Sequence, residues 1–381
     1  MKSKNIGFIL LIIICLLGIA LFNYKMDPFE LFNPRQNLML FQSPRDLIHL
    51  TLKMHKKEKY DYVICGGSTN TNMLNLPITK KKTAIVSIND ICYPDIKDIL
   101  VIFLNMHPEV KTIIFPVDYA AFMAAGEKTL PVYSSDKLNI NDINKLLLAT
   151  DTTKLSIKKF LHKISKQKEI NHNHNHRPGM EVFPKRKYYS LFEKQEERTY
   201  LEGKILQELD EINNIAERRN AEIIYFIAPY NALFLAEIYN SPFYTCTKNI
   251  KRFLAQKNSK IIDMAFINKN TTQSLFDNTY FYRDVIHPSS LYGALAYDII
   301  FDTANKDSDL YMEITKDNVE TVLKKQENLL KEYIRTHKDI ISEYESFDNR
   351  INSHDFNYSQ MHYYDNMNSY ESSIVSRYSS F

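Results

Sequence analysis

The chain of 381 residues is 44% apolar and 24% charged, which excludes a disordered protein and allows one large core with additions. Its 48 lysines and arginines nearly cancel 45 aspartates and glutamates and leave a formal net charge of +3 at pH 7. So small a charge, without a basic stripe, predicts no nucleic-acid partner.

The N-terminus carries a membrane-targeting segment. The start MKSKN is followed by GFILLIIICLLGIALF, residues 7–22, which contain no charged side chain. Such a helix would be about 24 Å long, slightly short of a full crossing, so a cleaved signal peptide competes with a retained anchor. No small-x-small cleavage site follows Phe22, and Ile14 before Cys15 argues against a lipoprotein site. We therefore predict a signal anchor over residues 1–24.

The orientation of this anchor follows from the charges at its start. Lys2 and Lys4 precede the apolar segment, and basic flanks of membrane helices stay in the cytoplasm. We predict a single-pass protein of the bacterial cell membrane whose main domain is extracytoplasmic, either periplasmic or at the cell surface.

The middle of the chain alternates short apolar runs with longer amphipathic ones, which is typical of a parallel sheet flanked by helices. The predicted strands cover residues 62–65, 83–88, 112–117, 223–228 and 260–263. The predicted helices cover residues 71–75, 94–105, 193–219, 249–256 and 290–302. The connections are long enough for the crossovers that parallel strands require. The predicted fold class is therefore α/β, a three-layer α/β/α sandwich with a mainly parallel sheet.

Shifts in composition suggest the domain limits. We predict an α/β domain over residues 25–305, with a polar insertion or lid at 127–187. An amphipathic C-terminal helix is predicted within 306–343. Residues 344–381 are rich in Asn, Ser, Tyr and Asp without periodicity, which predicts a disordered tail whose tyrosines are candidates for docking to a partner or a glycan.

The predicted insertion contains histidines at alternate positions, His172, His174 and His176. On an extended chain the three imidazoles would point to one face, as metal ligands require. The intervening asparagines and the following Pro178-Gly179 instead favour a solvated, low-complexity loop. We predict no metal site and no cofactor.

The first predicted strand ends in Gly66, Gly67, Ser68 and Thr69. If a helix follows, the Ser68 hydroxyl lies at the carboxyl edge of the sheet, beside free backbone N–H groups. A serine becomes a good nucleophile only when a base takes its proton and a third group orients that base. The sequence must therefore supply a histidine.

The segment FYRDVIHPSSLYG, near the end of the α/β region, supplies one. Asp284 and His287 are three residues apart, so on a tight turn the carboxylate can accept from one imidazole nitrogen while the other faces a serine. A helix that starts near Ser290 would keep the imidazole neutral at its N-terminus. The alternative is a helix-capping aspartate beside a surface histidine.

Together these motifs resemble the SGNH (GDSL-like) hydrolase superfamily. The order is GGST after an apolar strand, then D-x-x-H before a helix that contains Gly293. The segments DPFELFNP, IIFPVDYAAF, YFIAPYNALF and YRDVIHPSSLYG are similar to a membrane-anchored bacterial branch, that of alginate O-acetyltransferase proteins and of the D-alanyl-transfer protein of teichoic acids. The resemblance covers about residues 27–303 and is least at 127–187.

The resemblance implies an acyl-transfer site with Ser68 as nucleophile, His287 as general base and Asp284 as the residue that orients it. Backbone N–H groups around Ser68, with Gly67 and Thr69 beside it, would hold the oxyanion.

The sequence departs from the family at two points. The glycine of the family's oxyanion hole should follow the second strand, where SINDICYP offers only Asn89 and Asp90, and an asparagine would have to donate through its side chain. Gly67 also stands where the family has an aspartate beside the nucleophile. The oxyanion hole is therefore either rebuilt on Asn89 or lost.

Three further residues are candidates for contact with substrate because they follow predicted strands at the same edge. Asp118 follows the third strand, and Tyr230 and Asn231 follow the fourth. The alternatives are a turn aspartate that caps the next helix and two ordinary loop residues.

Three functions remain open. The first is an extracytoplasmic O-acyltransferase or esterase that acts on a cell-surface polysaccharide or glycopolymer through the Ser-His-Asp triad. The second is a catalytically degenerate module that binds glycan or scaffolds a membrane-bound acyltransferase. The third is a structural protein, tethered to the membrane, whose tail recruits partners.

Overall fold

The computed structural model describes residues 2–27, 38–39, 52, 57–67, 82–87, 93–119, 147–164, 195–257, 259–273, 281–282, 286–301 and 309–342. The helices are α1 (Lys2–Met26), α2 (Tyr93–Met106), α3 (Thr150–Ile164), α4 (Gln195–Arg218), α5 (Ala232–Tyr239), α6 (Phe243–Ala255), α7 (Ser290–Phe301) and α8 (Val319–Thr336). The strands are β1 (Leu38–Met39), β2 (Tyr62–Gly66), β3 (Thr83–Ser87), β4 (Thr112–Pro116), β5 (Glu222–Ile227), β6 (Lys260–Asp263) and β7 (Met312–Ile314).

The chain divides into two compact units. The smaller unit comprises Met1–Lys59 and Leu130–Asn175, and the larger comprises Tyr60–Thr129 and His176–Phe381. Much of the predicted insertion at 127–187 thus belongs to the same unit as the N-terminal helix.

Helix α1 is apolar on every side, and its stretch Gly7–Met26 is long and apolar enough to cross a membrane. Twenty helical residues span about 30 Å, the thickness of a bilayer's hydrocarbon core. The apolar segment predicted from the sequence is shorter, because the helix continues past the apolar run that ends at Phe22. Leu10, Ile14 and Leu21 are each more than half exposed, as water-soluble helices rarely permit.

Within the smaller unit, the last turns of α1 pack against α3. The Asn23 side chain is fully buried there and donates from Nδ2 to the carbonyl of Leu147 at 2.7 Å and to the hydroxyl of Thr153 at 2.9 Å. Two further contacts join the same helices: the Phe22 and Phe160 rings at 6.0 Å, and Lys159 Nζ donating to the Asp27 carbonyl at 2.8 Å.

The larger unit is built on a mostly parallel sheet in the order β3-β2-β4-β5-β6-β7. Neighbours from β3 to β6 run parallel, and β7 pairs with β6 antiparallel. The predicted α/β class with a mainly parallel sheet is confirmed. Strand β7 lies within 306–343, where only a helix was predicted, because three residues are too few to show a strand pattern.

Alternating strand residues are buried on both faces of the sheet, which explains why the strands read as nearly continuous apolar runs. Helix α2 contacts β2 and β3, and α4 contacts β5. Lys97 of α2 joins these helices by ion pairs to Glu208 at 2.7 Å and to Glu211 at 2.5 Å. Cys65 and Cys246 are buried in this core, and burial raises the pKa of the Cys65 thiol.

Helix α5 was not predicted from the sequence. Its residues ALFLAEIY are buried almost all round, so they show no polar face, and eight residues are too few for a helical period to stand out.

Candidate active site

The carboxyl ends of the parallel strands meet at one edge of the sheet, where α/β proteins bind ligands. Strand β2 ends there at Gly66 and is followed by buried Gly67. The residues after β4 lead to Asp118, those after β5 lead to Tyr230 and Asn231, and β6 ends at Asp263. The structure therefore brings part of the predicted site together.

Steric constraints explain why a glycine ends β2. Gly66 has φ of +154°, and a Cβ on it would lie 3.1 Å from Cγ of Pro116 on the neighbouring strand β4. Since a side chain would meet both a strained backbone and a rigid ring, only glycine fits without adjustment. The close approach keeps β2 and β4 tightly packed immediately before Ser68 in the chain.

Asp118 and Tyr230 form a buried hydrogen-bonded pair. The Tyr230 hydroxyl donates to Oδ1 of Asp118 at 2.9 Å and accepts from the Tyr119 backbone N–H at 2.8 Å. Asp118 is 2% exposed and Tyr230 is fully buried. Burial, followed by the negative charge of Asp118, raises the pKa of the Tyr230 phenol well above its ordinary value. These bonds tie the end of β4 to the end of β5.

Asn231 caps α5. Its Oδ1 accepts from the N–H of Leu233 at 3.0 Å, as N-cap asparagines do, and its Nδ2 donates to the carbonyl of Gln273 at 3.0 Å. With 1% of its surface exposed, Asn231 has a structural role at this edge. Contact of Asp118, Tyr230 or Asn231 with a substrate stays a prediction.

A buried polar network that the sequence did not reveal lies beyond these residues. Lys251 Nζ lies 2.6 Å from Oδ2 of Asp263 and donates to Oε1 of Gln326 at 2.8 Å. The amide of Gln326 donates to the same Asp263 oxygen at 2.8 Å, and the N–H of Ala265 donates to Oδ1 of Asp263 at 2.8 Å. The Asp263 carboxylate thus has three partners, one on α6, one on α8 and one in the residues after β6.

In the sequence, this network is indicated by a single feature, the aspartate Asp263 at the end of a predicted buried strand. Lys251 and Gln326 could not be connected to it, because they lie on separate helices and meet Asp263 only in the folded chain. The cavity beside the network has a volume of about 30 Å³, enough for a water molecule and too small for a sugar ring.

His287 lies immediately before α7 and is half-buried. An isolated bridge between Tyr282 and Pro288 and a 2.8 Å bond from the Ser289 N–H to the Phe281 carbonyl hold its loop. Ile286, the residue before His287, is 1% exposed and is anchored in the core. The predicted helix start at residue 290 is confirmed, so His287 is held close to a helix N-terminus.

The other predicted site residues, Ser68, Thr69, Asn89 and Asp284, lie outside the described residues, as do His172, His174 and His176. The roles of Ser68, His287 and Asp284 therefore stay predictions. Among the described residues, no group of three or more His, Cys, Asp or Glu side chains could hold a metal ion.

Comparison of the chain with family models, with curated proteins and with solved structures finds no match.

Proposed function

We propose that this protein is a membrane-anchored, serine-dependent O-acyltransferase or esterase that acts on a glycopolymer outside the cytoplasm. Its nucleophile is Ser68, its general base His287, and Asp284 orients that base. The observation that carries the proposal is the position of β2: it lies inside a parallel sheet, between β3 and β4, and ends at a buried Gly66-Gly67 pair directly before Ser68 in the chain. Ligand sites of α/β proteins form at that edge.

The sheet is the middle layer of a three-layer sandwich in this proposal. The Tyr62 ring packs 4.7 Å from the Phe301 ring of α7. The Tyr225 hydroxyl reaches the carbonyl of Leu209 on α4 at 3.4 Å. Tyr62 of β2 pairs with Thr112 of β4, which pairs with Glu222 of β5, so these three side chains point to the same face of the sheet. Tyr225 is three residues after Glu222 on β5 and therefore points to the opposite face. The contacts of α7 with Tyr62 and of α4 with Tyr225 thus favour a sheet that is covered by helices on both faces.

The chemistry follows from the residue types. The imidazole of His287 takes the hydroxyl proton of Ser68 while Oγ attacks the ester carbonyl, which gives a tetrahedral oxyanion. Backbone N–H donors near Gly67 stabilise that oxyanion, each by about 3 kcal/mol. Collapse expels the leaving alkoxide, which receives the proton from the imidazolium. A sugar hydroxyl or water then repeats the sequence on the acyl-serine and releases the product.

The anchor in this proposal is α1. A helix that exposes apolar side chains all round needs a non-aqueous environment, and its stretch Gly7–Met26 matches a bilayer in length. Lys2 and Lys4 at its start favour a cytoplasmic N-terminus and an extracytoplasmic C-terminal part.

The proposal is tested by labelling the full chain in detergent with a fluorophosphonate, followed by peptide mapping. We expect the label on Ser68, its loss in Ser68→Ala, and release of p-nitrophenol from the acetate ester only by the unsubstituted chain. Ser289→Ala is the matched control. Ser289 is two residues from His287 in the chain, but its hydroxyl caps α7 by accepting a 3.4 Å bond from the Tyr292 N–H. Labelling that survives Ser68→Ala rejects this nucleophile.

A second candidate is a module of the same fold that binds glycan without catalysis. It is favoured by the inward bonds of Asp118, Tyr230 and Asn231, which leave little of their surface for a substrate. This candidate predicts no fluorophosphonate label on any serine, together with retention of the chain on immobilised cell-surface polymer that is unchanged in Ser68→Ala.

A further inference from the structure

Helix α3 presents an arc of large apolar side chains. Ile157, Phe160 and Leu161 are 47, 42 and 58% exposed, and at 100° per residue they occupy about 100° of the helix circumference. These three residues are called the apolar arc. Lys154 and Lys158 come next around the helix. An apolar arc bordered by lysines is typical of a helix that lies in a membrane interface.

The contacts between α3 and α1 show that α3 runs across the end of α1. They extend from Leu147 to Phe160, about 20 Å along α3 and the residues before it, but only from Phe22 to Asp27, about 8 Å along α1. A helix that lay alongside α1 would contact residues several turns further back. The axis of α3 therefore lies across α1 at its C-terminal end.

The same contacts fix which side of α3 faces back along α1. Phe160 packs against Phe22, whereas Lys159 reaches Asp27, more than one turn further from the middle of α1. Around the circumference of α3, Ile157 and Leu161 lie beyond Phe160, so the apolar arc is on the side of α3 that faces the middle of α1. Leu155 lies on the opposite side of the helix and is 41% exposed.

We propose that α3 is an interfacial helix whose apolar arc inserts between the headgroups and acyl chains of the bilayer that α1 crosses. The inference rests on the proposed anchoring role of α1. If α1 spans the bilayer, a helix across its end lies in the plane of the interface, and the arc is the side of α3 turned toward the lipid. The lysines beside the arc then meet the phosphates of anionic lipids.

The chain contains no tryptophan, so a single introduced tryptophan is the sole reporter of its own depth. The full chain is reconstituted into vesicles of phosphatidylcholine and phosphatidylglycerol with bromine, a fluorescence quencher, placed either near the headgroup end or near the middle of the acyl chains. The variants are Leu161→Trp in the apolar arc, Leu155→Trp as the matched control on the other side of α3, and Leu17→Trp in the middle of the stretch Gly7–Met26 of α1.

We expect shallow bromines to quench Leu161→Trp at least about two-fold more than Leu155→Trp. Deep bromines should quench Leu17→Trp most, because that position lies near the bilayer centre. If Leu17→Trp is quenched while Leu161→Trp is quenched no more than Leu155→Trp, the apolar arc does not enter the bilayer, and the inference is wrong while the anchor stands. If Leu17→Trp is not quenched, α1 does not span the bilayer, and both ideas fall.

Discussion

Lys251 and Asp263 form an ion pair almost out of reach of solvent, and Lys251→Met tests what that pair contributes to stability. The lysine side chain is 6% exposed and the carboxylate 0%, with 2.6 Å between Nζ and Oδ2. At that separation the attraction is about 6 kcal/mol for an effective dielectric constant of about 20. Desolvation of both charges offsets much of it in the intact pair. Removing one partner leaves the other buried without its counter-charge.

We expect Lys251→Met to lower the free energy of unfolding of the larger unit by about 3–5 kcal/mol. For a unit of this size that corresponds to a fall in Tm of roughly 6–20 °C. The amide of Gln326 would remain on Asp263, which keeps the loss finite. The measurement is unfolding of the full chain in detergent, followed by far-ultraviolet circular dichroism.

Lys248→Met is the matched control, since it makes the same change on the same helix. Lys248 lies 3.4 Å from Glu327, and both side chains are about a quarter exposed, so water screens the pair and the loss should not exceed about 1 kcal/mol. A double variant, Lys251→Met with Asp263→Asn, should lose less than Lys251→Met alone, because no carboxylate is left unpaired. If Lys251→Met lowers the free energy of unfolding no more than Lys248→Met does, burial does not make the Lys251–Asp263 pair any more important than a surface pair.

Three further outcomes are expected. Gly66→Ala should destabilise the larger unit by about 1–3 kcal/mol through strain and the contact with Pro116, whereas Gly203→Ala, with open space around it in α4, should stabilise by up to about 1 kcal/mol; equal effects in thermal unfolding would contradict the steric argument. Tyr230→Phe should lower the free energy of unfolding by about 1–3 kcal/mol, because the hydroxyl that donates to buried Asp118 and accepts from the Tyr119 N–H is removed. A loss below about 0.5 kcal/mol would show that this pair does not stabilise the fold. In alkali, the buried tyrosines should ionise only when the protein unfolds, because burial raises their pKa above the value near 10 that they have in the unfolded chain. The free energy of unfolding should therefore be unaffected by these groups below about pH 10 and should fall as the pH rises above it. Absorbance at 295 nm should therefore rise in a late phase that coincides with loss of circular dichroism, and one phase near pH 10 in a folded chain would contradict this for Tyr230, Tyr282 and Tyr292.

The strands of the sheet were predictable because each is a short apolar run bounded by polar residues. The strand predicted at 260–263 has those limits in the structure, and the one predicted at 62–65 ends one residue later, at Gly66. The helix predicted at 193–219 forms as Gln195–Arg218. Local periodicity carries this information, because an element that buries one face must repeat its apolar residues along the chain.

Part of the candidate site was also predictable. The rule that residues after parallel strands meet at one edge placed Asp118, Tyr230 and Asn231 near one another, and the first two do form a hydrogen bond. Their burial was not predictable, because it depends on how α5 and the aromatic rings around Tyr119 pack over the edge.

By itself the sequence determined the apolar N-terminal helix, the α/β class and most element limits, since these depend on residues near one another in the chain. Only the tertiary structure decided that β2 lies inside the sheet, that Asp263 is paired with Lys251 and Gln326, and that α3 runs across the end of α1. Each of these depends on which distant segments bury one another's surfaces. That choice is made by the packing of the whole chain and leaves no local pattern to read.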